Sequence, residues 1–512
     1  MYNLLFMCSF DDAESLIRFH EKLLFERAYP KSPREMEEAE RLLADFAAKV
    51  ESLRAAGADM APFEEPEVSG IAGTSFAAIF TYPVARWLAT AHPGEVEIDW
   101  ERYVREARLG SALPRFIPLL EEDALVEAHP PYVEWLEAAR AGLGWLIRQL
   151  KRSGLSEDQQ AEVYDSLELP LGWKLGSSPA TRTRTRIPVR EIYYHGGPLL
   201  KRSDVSLDAA VTAPPLPLIR VPKAEGEALL ALARDTSAVR YRELYGFSHG
   251  DSAGVWRVPS ERGVDIFLLG LPPARRLPLR AYHAGMMFKN GVPVGYVESL
   301  SLFERMEVGF NLYYTFREGE TAWLYARLLR IFRQFAGVNC FSIDPYQIGH
   351  ENEEAIASGA FWFYRKMGFR PVQPEIVRVM DAEERKLKAT PGYRTPARTL
   401  RRLAAGSMIY ECPGVVRGDW DRFSVRNLGL AVNRRMAEKF GGDASRMRRT
   451  AGDGLALVVS LIPELARWPA ADKAALAGIL RAKTAREETR YLRLMQKHTR
   501  LRAALLALGS NI

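Results

Sequence analysis

The chain has 512 residues, 47% hydrophobic and 26% charged, enough apolar material to bury a large core in two or three domains, which excludes wholesale disorder. Its 38 Gly and 31 Pro follow no fixed period, and Cys8, Cys340 and Cys412 are too few and too scattered for a disulfide framework or a cysteine-built zinc site. The formal net charge of +6 hides an asymmetry: Lys and Arg outnumber Asp and Glu by 28 to 14 from Arg370 onward, whereas acids exceed bases by 50 to 42 before it.

The first ten residues are apolar but lack a basic leading segment and run into Asp11 and Asp12, so no secretory signal is expected. With so few cysteines, a reducing, cytoplasmic setting is the expectation. Residues 1–170 read as helical. Ser32 as N-cap, Pro33 and Glu35 open a helix in which Met36, Leu42, Leu43, Phe46, Val50 and Leu53 keep helical spacing until Gly57. The uncharged run Val68 to Ala85 holds Ser69, Gly70, Gly73, Thr74, Ser75 and Pro83, so it reads as a buried helix, and no transmembrane segment is expected. A further helix is predicted from Tyr132 to Gly154, and Ser156 with Gln159 forms a capping-box pattern for the next.

Residues 171–222 change period. Thr181, Arg182, Thr183, Arg184, Thr185 and Arg186 alternate strictly, and Ile187 to His195 is rich in β-formers, which predicts a hairpin or edge strand. Its arginines read either as phosphate ligands or as charges that protect an edge. Ala213 to Pro222 is a Pro-rich extended connector, and a domain boundary is placed there.

From 223 to 380 the order of elements carries information. A helix over about 225–234 precedes strands at 264–271 and 281–289, a turn at Asn290-Gly291, and strands at 292–303 and 306–316, the last with Val308, Phe310, Leu312 and Tyr314 on one face. A helix carries Leu324, Leu328, Ile331 and Phe335, and a strand spans 338–344. Asn352 caps a helix with Ile356, Ala360, Phe363 and Met367 in one stripe, and IVRVM at 376–380 is predicted to close the unit as a strand.

This order, with the segment GAFWFYRKMGFRP at Gly359 to Pro371, resembles the GCN5-related N-acetyltransferase (GNAT) superfamily; Ala360, Phe363, Tyr364, Gly368 and Phe369 stand in register with that family's Ala-x-x-hydrophobic-Tyr-x-x-x-Gly-Phe segment. The resemblance covers about 150 residues. It implies an acyltransferase that moves an acyl group from acyl-CoA, as co-substrate, to an amine acceptor, with no metal. It also implies Tyr364 as the acid for the departing thiolate, backbone groups of Leu312, Tyr313 and Tyr314 for the oxyanion and pantetheine, and the turn carrying Arg317, Gly319 and Thr321 for the pyrophosphate.

That turn departs from the family spacing and adds Glu318 and Glu320, which also suits a non-catalytic binding or scaffold protein that keeps the fold without CoA. Tyr364 reads equally as a core tyrosine beside Phe361, Trp362 and Phe363. For the base, Glu307 on the fourth strand is the candidate, with Glu298 on the third; His283 and His350 are the other titratable groups. No zinc helix, nucleophile elbow or phosphate-binding loop motif occurs in the sequence.

Residues 381–512 form a helical basic region, with one long amphipathic helix predicted over 472–508. Its charge reads as a solvated or docked face, or as a weak contact for a polyanion. The fold class expected is therefore α+β: helical 1–170, a β-rich segment and connector 171–222, a central mixed-sheet GNAT-like domain 223–380, and helical basic 381–512.

Overall fold

A computed structural model describes residues 10–117, 119–129, 131–443, 445–446, 454–462 and 464–510. Cys8 and most of the apolar leading stretch lie outside the described residues. The chain divides into two compact units: residues 1–196 with 227–249 and 289–293, and residues 197–226 with 250–288 and 294–512.

In the first unit, Ser32 Oγ accepts the Glu35 N–H at 3.3 Å and opens the helix Pro33–Ala44; a break at Asp45 separates it from Phe46–Ala55. The Ser156–Gln159 capping box forms in both directions, at 3.3 and 3.0 Å. The helix predicted over 132–154 is two helices, Tyr132–Ala138 and Leu143–Arg152, parted by Arg140 with φ of 49°.

The run from Val68 to Ala85 is not one helix. Positive φ at Gly70 and Gly73 turns the chain into strand β1 (Ser75–Ile79), and Pro83 is admitted only in the first turn of the helix Tyr82–Ala91. β1 joins β2 (Val96–Ile98) and β3 (Pro170–Lys174) in an antiparallel sheet of order β1-β3-β2, over a core that includes Leu88, Leu150, Leu167 and Trp173.

The alternating segment at 181–186 is no strand. Thr183 Oγ1 accepts the Ala72 N–H at 2.9 Å and meets His20 Nε2 at 2.8 Å, while Thr185 Oγ1 donates to the Thr181 carbonyl at 2.8 Å. Arg182 is buried, donates to the Glu67 carbonyl at 2.8 Å and pairs with Glu21 at 2.9 Å. Threonine side chains thus satisfy backbone groups and compete with a ladder. Arg182 is neither a phosphate ligand nor an edge charge.

The second unit is built on a nine-stranded sheet: β4 (Ile219–Arg220), β5 (Trp256–Ser260), β6 (Val264–Leu269), β7 (Ala281–Lys289), β8 (Val292–Leu302), β9 (Arg305–Leu312), β10 (Cys340–Ile343), β11 (Arg370–Pro371) and β12 (Met408–Glu411), in the order β4-β5-β6-β7-β8-β9-β10-β12-β11. Asn290 and Gly291 have φ of 48° and 80°, as a type I′ turn between β7 and β8 requires. β8 and β9 pair antiparallel, β9 and β10 parallel, and β10, β12 and β11 antiparallel again. The parallel step needs a crossover, which the helix Thr321–Ala336 supplies, burying Leu324, Leu328, Ile331 and Phe332 before Gly337 ends it at φ 71°.

Two expectations fail here. IVRVM lies inside the helix Pro374–Ala389, opened by Pro374, and the sheet is closed instead by β11 and by β12, which comes about 30 residues later in the chain. The single helix over 472–508 is three, Ala470–Lys483, Glu488–Lys497 and Thr499–Ser510. No helix among the described residues is long and apolar enough to cross a membrane.

His20 and His283 are fully buried, and burial pushes their pKa values down to about 4 and about 3. A depressed histidine pKa means that the fold favours the neutral ring. The resulting stability is complete above pH 6.5 and is lost as pH falls toward 4 and 3. Denaturant midpoints should therefore drop over that window, by up to about 1.4 kcal/mol per pH unit for each ring, and the drop should shrink in His283→Gln.

Candidate functional site

The second unit's sheet has one irregular seam. The β9–β10 ladder pairs Arg305 with Cys340, Met306 with Phe341 and Glu307 with Ser342, and then stops. It stops because Asp344-Pro345 turns the chain: Pro345 has no N–H to donate, and Asp344 Oδ1 caps the short helix Pro345–Ile348 by accepting the Tyr346 N–H at 2.9 Å. β9 continues five residues further, paired only to β8.

On that side the pairing is close: a Cβ at Gly295 would stand 2.3 Å from the Asn311 carbonyl, so glycine is required there. Tyr313 N–H donates to the Val294 carbonyl at 3.0 Å, which sets the alternation of the ladder. The N–H groups of Phe310 and Leu312 consequently face the open edge where β10 has left.

Side-chain alternation splits β9 between two faces. Val308, Phe310 and Leu312 are buried on the face toward the helix Thr321–Ala336. There the Phe310 ring lies 5.0 Å from Tyr325, and Tyr325 lies 5.6 Å from Tyr364. Tyr364 is buried, and burial raises its pKa above 10. The Tyr325 hydroxyl, also buried, has no hydrogen-bond partner among the described residues, and both burial and Tyr364 raise its pKa.

Glu307 points to the opposite face. It stands 3.9 Å from Arg280, with its pKa raised by burial. Glu298, across from Gly309, shares this face, accepts a hydrogen bond from the Tyr282 hydroxyl and is likewise raised by burial. Glu298 and Glu307 therefore share one face of the sheet, opposite the face that packs against Tyr325 and Tyr364.

Of the residues expected to hold the cofactor, Leu312 and Thr321 keep open backbone donors. Tyr313 N–H is committed to Val294, and Tyr314 is 58% exposed in a 3₁₀ turn that follows β9. Arg317 pairs with Glu354 and donates to the Leu312 carbonyl at 3.4 Å, Gly319 N–H donates to the Phe316 carbonyl at 3.0 Å, and Thr321 Oγ1 donates to the Arg317 carbonyl at 2.9 Å. The backbone N–H groups of Thr321, Ala322 and Trp323, at the start of the following helix, donate to no acceptor among the described residues. That is the arrangement an anion needs at a helix N-terminus.

Glu320 does not oppose such an anion. Its carboxylate is fully buried, gripped by Arg262 through Nε, at 3.0 Å, and Nη2, and by the Leu200 N–H at 3.1 Å. Glu318 is exposed. The charge that the sequence places at this turn is thus half neutralised by an arginine 58 residues away, a pairing with no local sequence signal. Tyr325, beside Tyr364, and Arg305, on the face of β9 that carries Glu307, have no sequence signal of their own: the first is masked by the apolar stripe of its helix, the second by the hairpin turn it follows. His283 is buried against Phe335, and no group of three or more metal-ligating side chains occurs among the described residues. Comparison with family profiles, with curated proteins and with solved structures finds no match.

Breaking the Arg262–Glu320 pair should strand a buried charge. Glu320→Ala and Arg262→Ala are each expected to lower unfolding free energy by about 3–5 kcal/mol, and Arg262→Met with Glu320→Leu together by less than either alone. Urea unfolding of the three variants checks this, and additive losses would show that the pair is not coupled.

Proposed function

We propose that the second unit is an acyltransferase that moves an acyl group from acyl-CoA to an amine. One observation carries this reading: the divergence of β9 from β10 after Glu307, which leaves the N–H groups of Phe310 and Leu312 facing a wedge. An extended chain of amides can pair there as a strand would. Further support comes from the unpartnered helix N-terminus at Thr321 and from the sheet order, in which an antiparallel arm leads into one parallel pair, as the GNAT resemblance implies. Acyl-CoA supplies the activated acyl group. Glu307 takes the proton of the amine, and Glu298 lies on the same face. Tyr364, with Tyr325, holds a proton on the other face for the leaving thiolate. Burial keeps both phenols protonated at neutral pH, as an acid must be.

A second reading, a binding protein of the same fold that does not use CoA, is favoured by the Arg317–Glu354 bridge and by the depth at which Tyr364 is packed among Tyr325, Phe363 and Phe369. Titration with a panel of acyl-CoA thioesters separates the two, since the binding protein gives no heat.

Tyr364→Phe keeps the ring and removes the hydroxyl. Thiol release should fall about 10²–10⁴-fold with acyl-CoA affinity and melting temperature little changed. A lowered melting temperature with unchanged thiol release would return Tyr364 to the core.

Glu307 has its pKa raised above 4.5 and acts as a base only when ionised. Turnover should therefore fall as pH drops through a value above 4.5, and Glu307→Gln should abolish that limb.

A further inference from the structure

The face of β9 that carries Glu307 opens into a cleft of about 540 Å³ whose other wall is the segment 420–426. Its charge is unbalanced. Arg280, Arg305, Arg422 and Arg426 line it, together with the carboxylates of Glu307, Asp344 and Asp421. Asp421 is already forked by Arg370 at 3.0 and 2.8 Å, which leaves Glu307 and Asp344, the latter also capping its own helix, against four guanidinium groups.

Arg305 is the most constrained of the four. Its Nε donates to Ser342 Oγ at 3.1 Å and its Nη1 to the Phe423 carbonyl at 3.4 Å, and its guanidinium lies 5.8 Å from the ring centres of both Trp420 and Phe423. No carboxylate lies within ion-pair distance of it among the described residues. Glu307, two positions along β9, offsets it only beyond ion-pair distance, and a fixed, partly buried guanidinium so weakly compensated is costly unless something anionic reaches it.

A second feature converges on the same cleft. The 16-residue helix Val425–Phe440 begins there, and its N-cap Ser424 makes no side-chain capping bond. The N–H groups of Val425 and Arg426 donate to no acceptor among the described residues. Aligned helix dipoles and open N–H donors add positive potential to that of the arginines.

We propose that this cleft binds an oxyanion, a carboxylate or a phosphate monoester, carried on the same small molecule as the amine that accepts the acyl group. The link to the amine rests on the reading of Glu307 as the base; the oxyanion site rests on the arginines and the helix alone. Arg305 and the 425–426 backbone hold the anion, Trp420 and Phe423 wall the body of the ligand, and the amine lies toward Glu307. A substrate with an amine and no anion is excluded by the same four arginines.

Calorimetric titration of the full chain without acyl-CoA, using sodium phosphate, L-glutamate and putrescine in a low-chloride buffer, tests the site. Phosphate or glutamate should bind, the stronger of the two naming the oxyanion, and putrescine should not. Affinity should fall at least tenfold in Arg305→Gln and in Arg426→Gln, the second at an exposed position that keeps the test valid where the first does not fold. Absence of binding by both anions, equal affinity in the folded variants, or binding of putrescine would overturn the proposal. Anion binding beside a failed acyl-CoA titration would keep the site and remove the acyltransferase reading.

Discussion

The termination of the β9–β10 ladder at Glu307 and Ser342 is the constraint on which the site depends. Parallel pairing asks both strands to continue together, and Pro345 ends that on one side only. Because β8 still holds β9 through Asn311 and Leu312, the strand cannot collapse into the gap, and its outward donors stay extended. Gly295 permits this close hold, and the buried helix Thr321–Ala336 fixes where β9 must end. A wedge is what remains when one neighbour leaves and the other does not.

The sheet then sorts chemistry by alternation. Even-numbered positions of β9 carry Met306, Val308, Phe310 and Leu312 into an aromatic packing that includes Tyr325, Tyr364 and Phe369. Odd-numbered positions carry Arg305, Glu307 and Asn311 to a polar face with Glu298 and Tyr282. Desolvation acts on both faces with opposite consequences for use: it keeps phenols protonated on one, and raises carboxylates toward a usable basicity on the other.

Elements with strong local signals were legible. The Ser32 and Ser156 caps, the Asn290-Gly291 turn, β7, β8, β9 and the helix after Gly319 all follow from side chains within a few positions of one another. What failed was non-local. The alternating Thr-Arg segment reads as a strand until one sees that His20 and Ala72 satisfy Thr183, and IVRVM reads as a strand until Pro374 is allowed to open a helix. β12 supplies the sheet's missing edge from far along the chain. Tyr364, Glu307 and Leu312 could be named as candidates, but the two faces they occupy, and the hydrogen bonds of Tyr313, Gly319 and Thr321 to backbone partners, are properties of the register.

The distribution of charge follows the same logic. Part of the excess of basic residues from Arg370 onward meets carboxylates on its own unit: Arg502 pairs with Glu304 and Asp419, Arg401 with Glu353, Arg500 with Asp472, and Arg370 with Glu411 and Asp421. Glu304 and Glu353 come from the acidic part of the chain, so part of the asymmetry in sequence is complementarity in space. The exposed pairs among them, Arg401–Glu353 and Arg500–Asp472, contribute little to stability. Against that background the cleft beside Glu307 stands apart. Its arginines come from both sides of the charge divide, Arg280 and Arg305 before it and Arg422 and Arg426 after it. Here four arginines face Glu307 and Asp344, with Asp421 taken by Arg370, and the positive potential that results is the property by which a ligand would know the site.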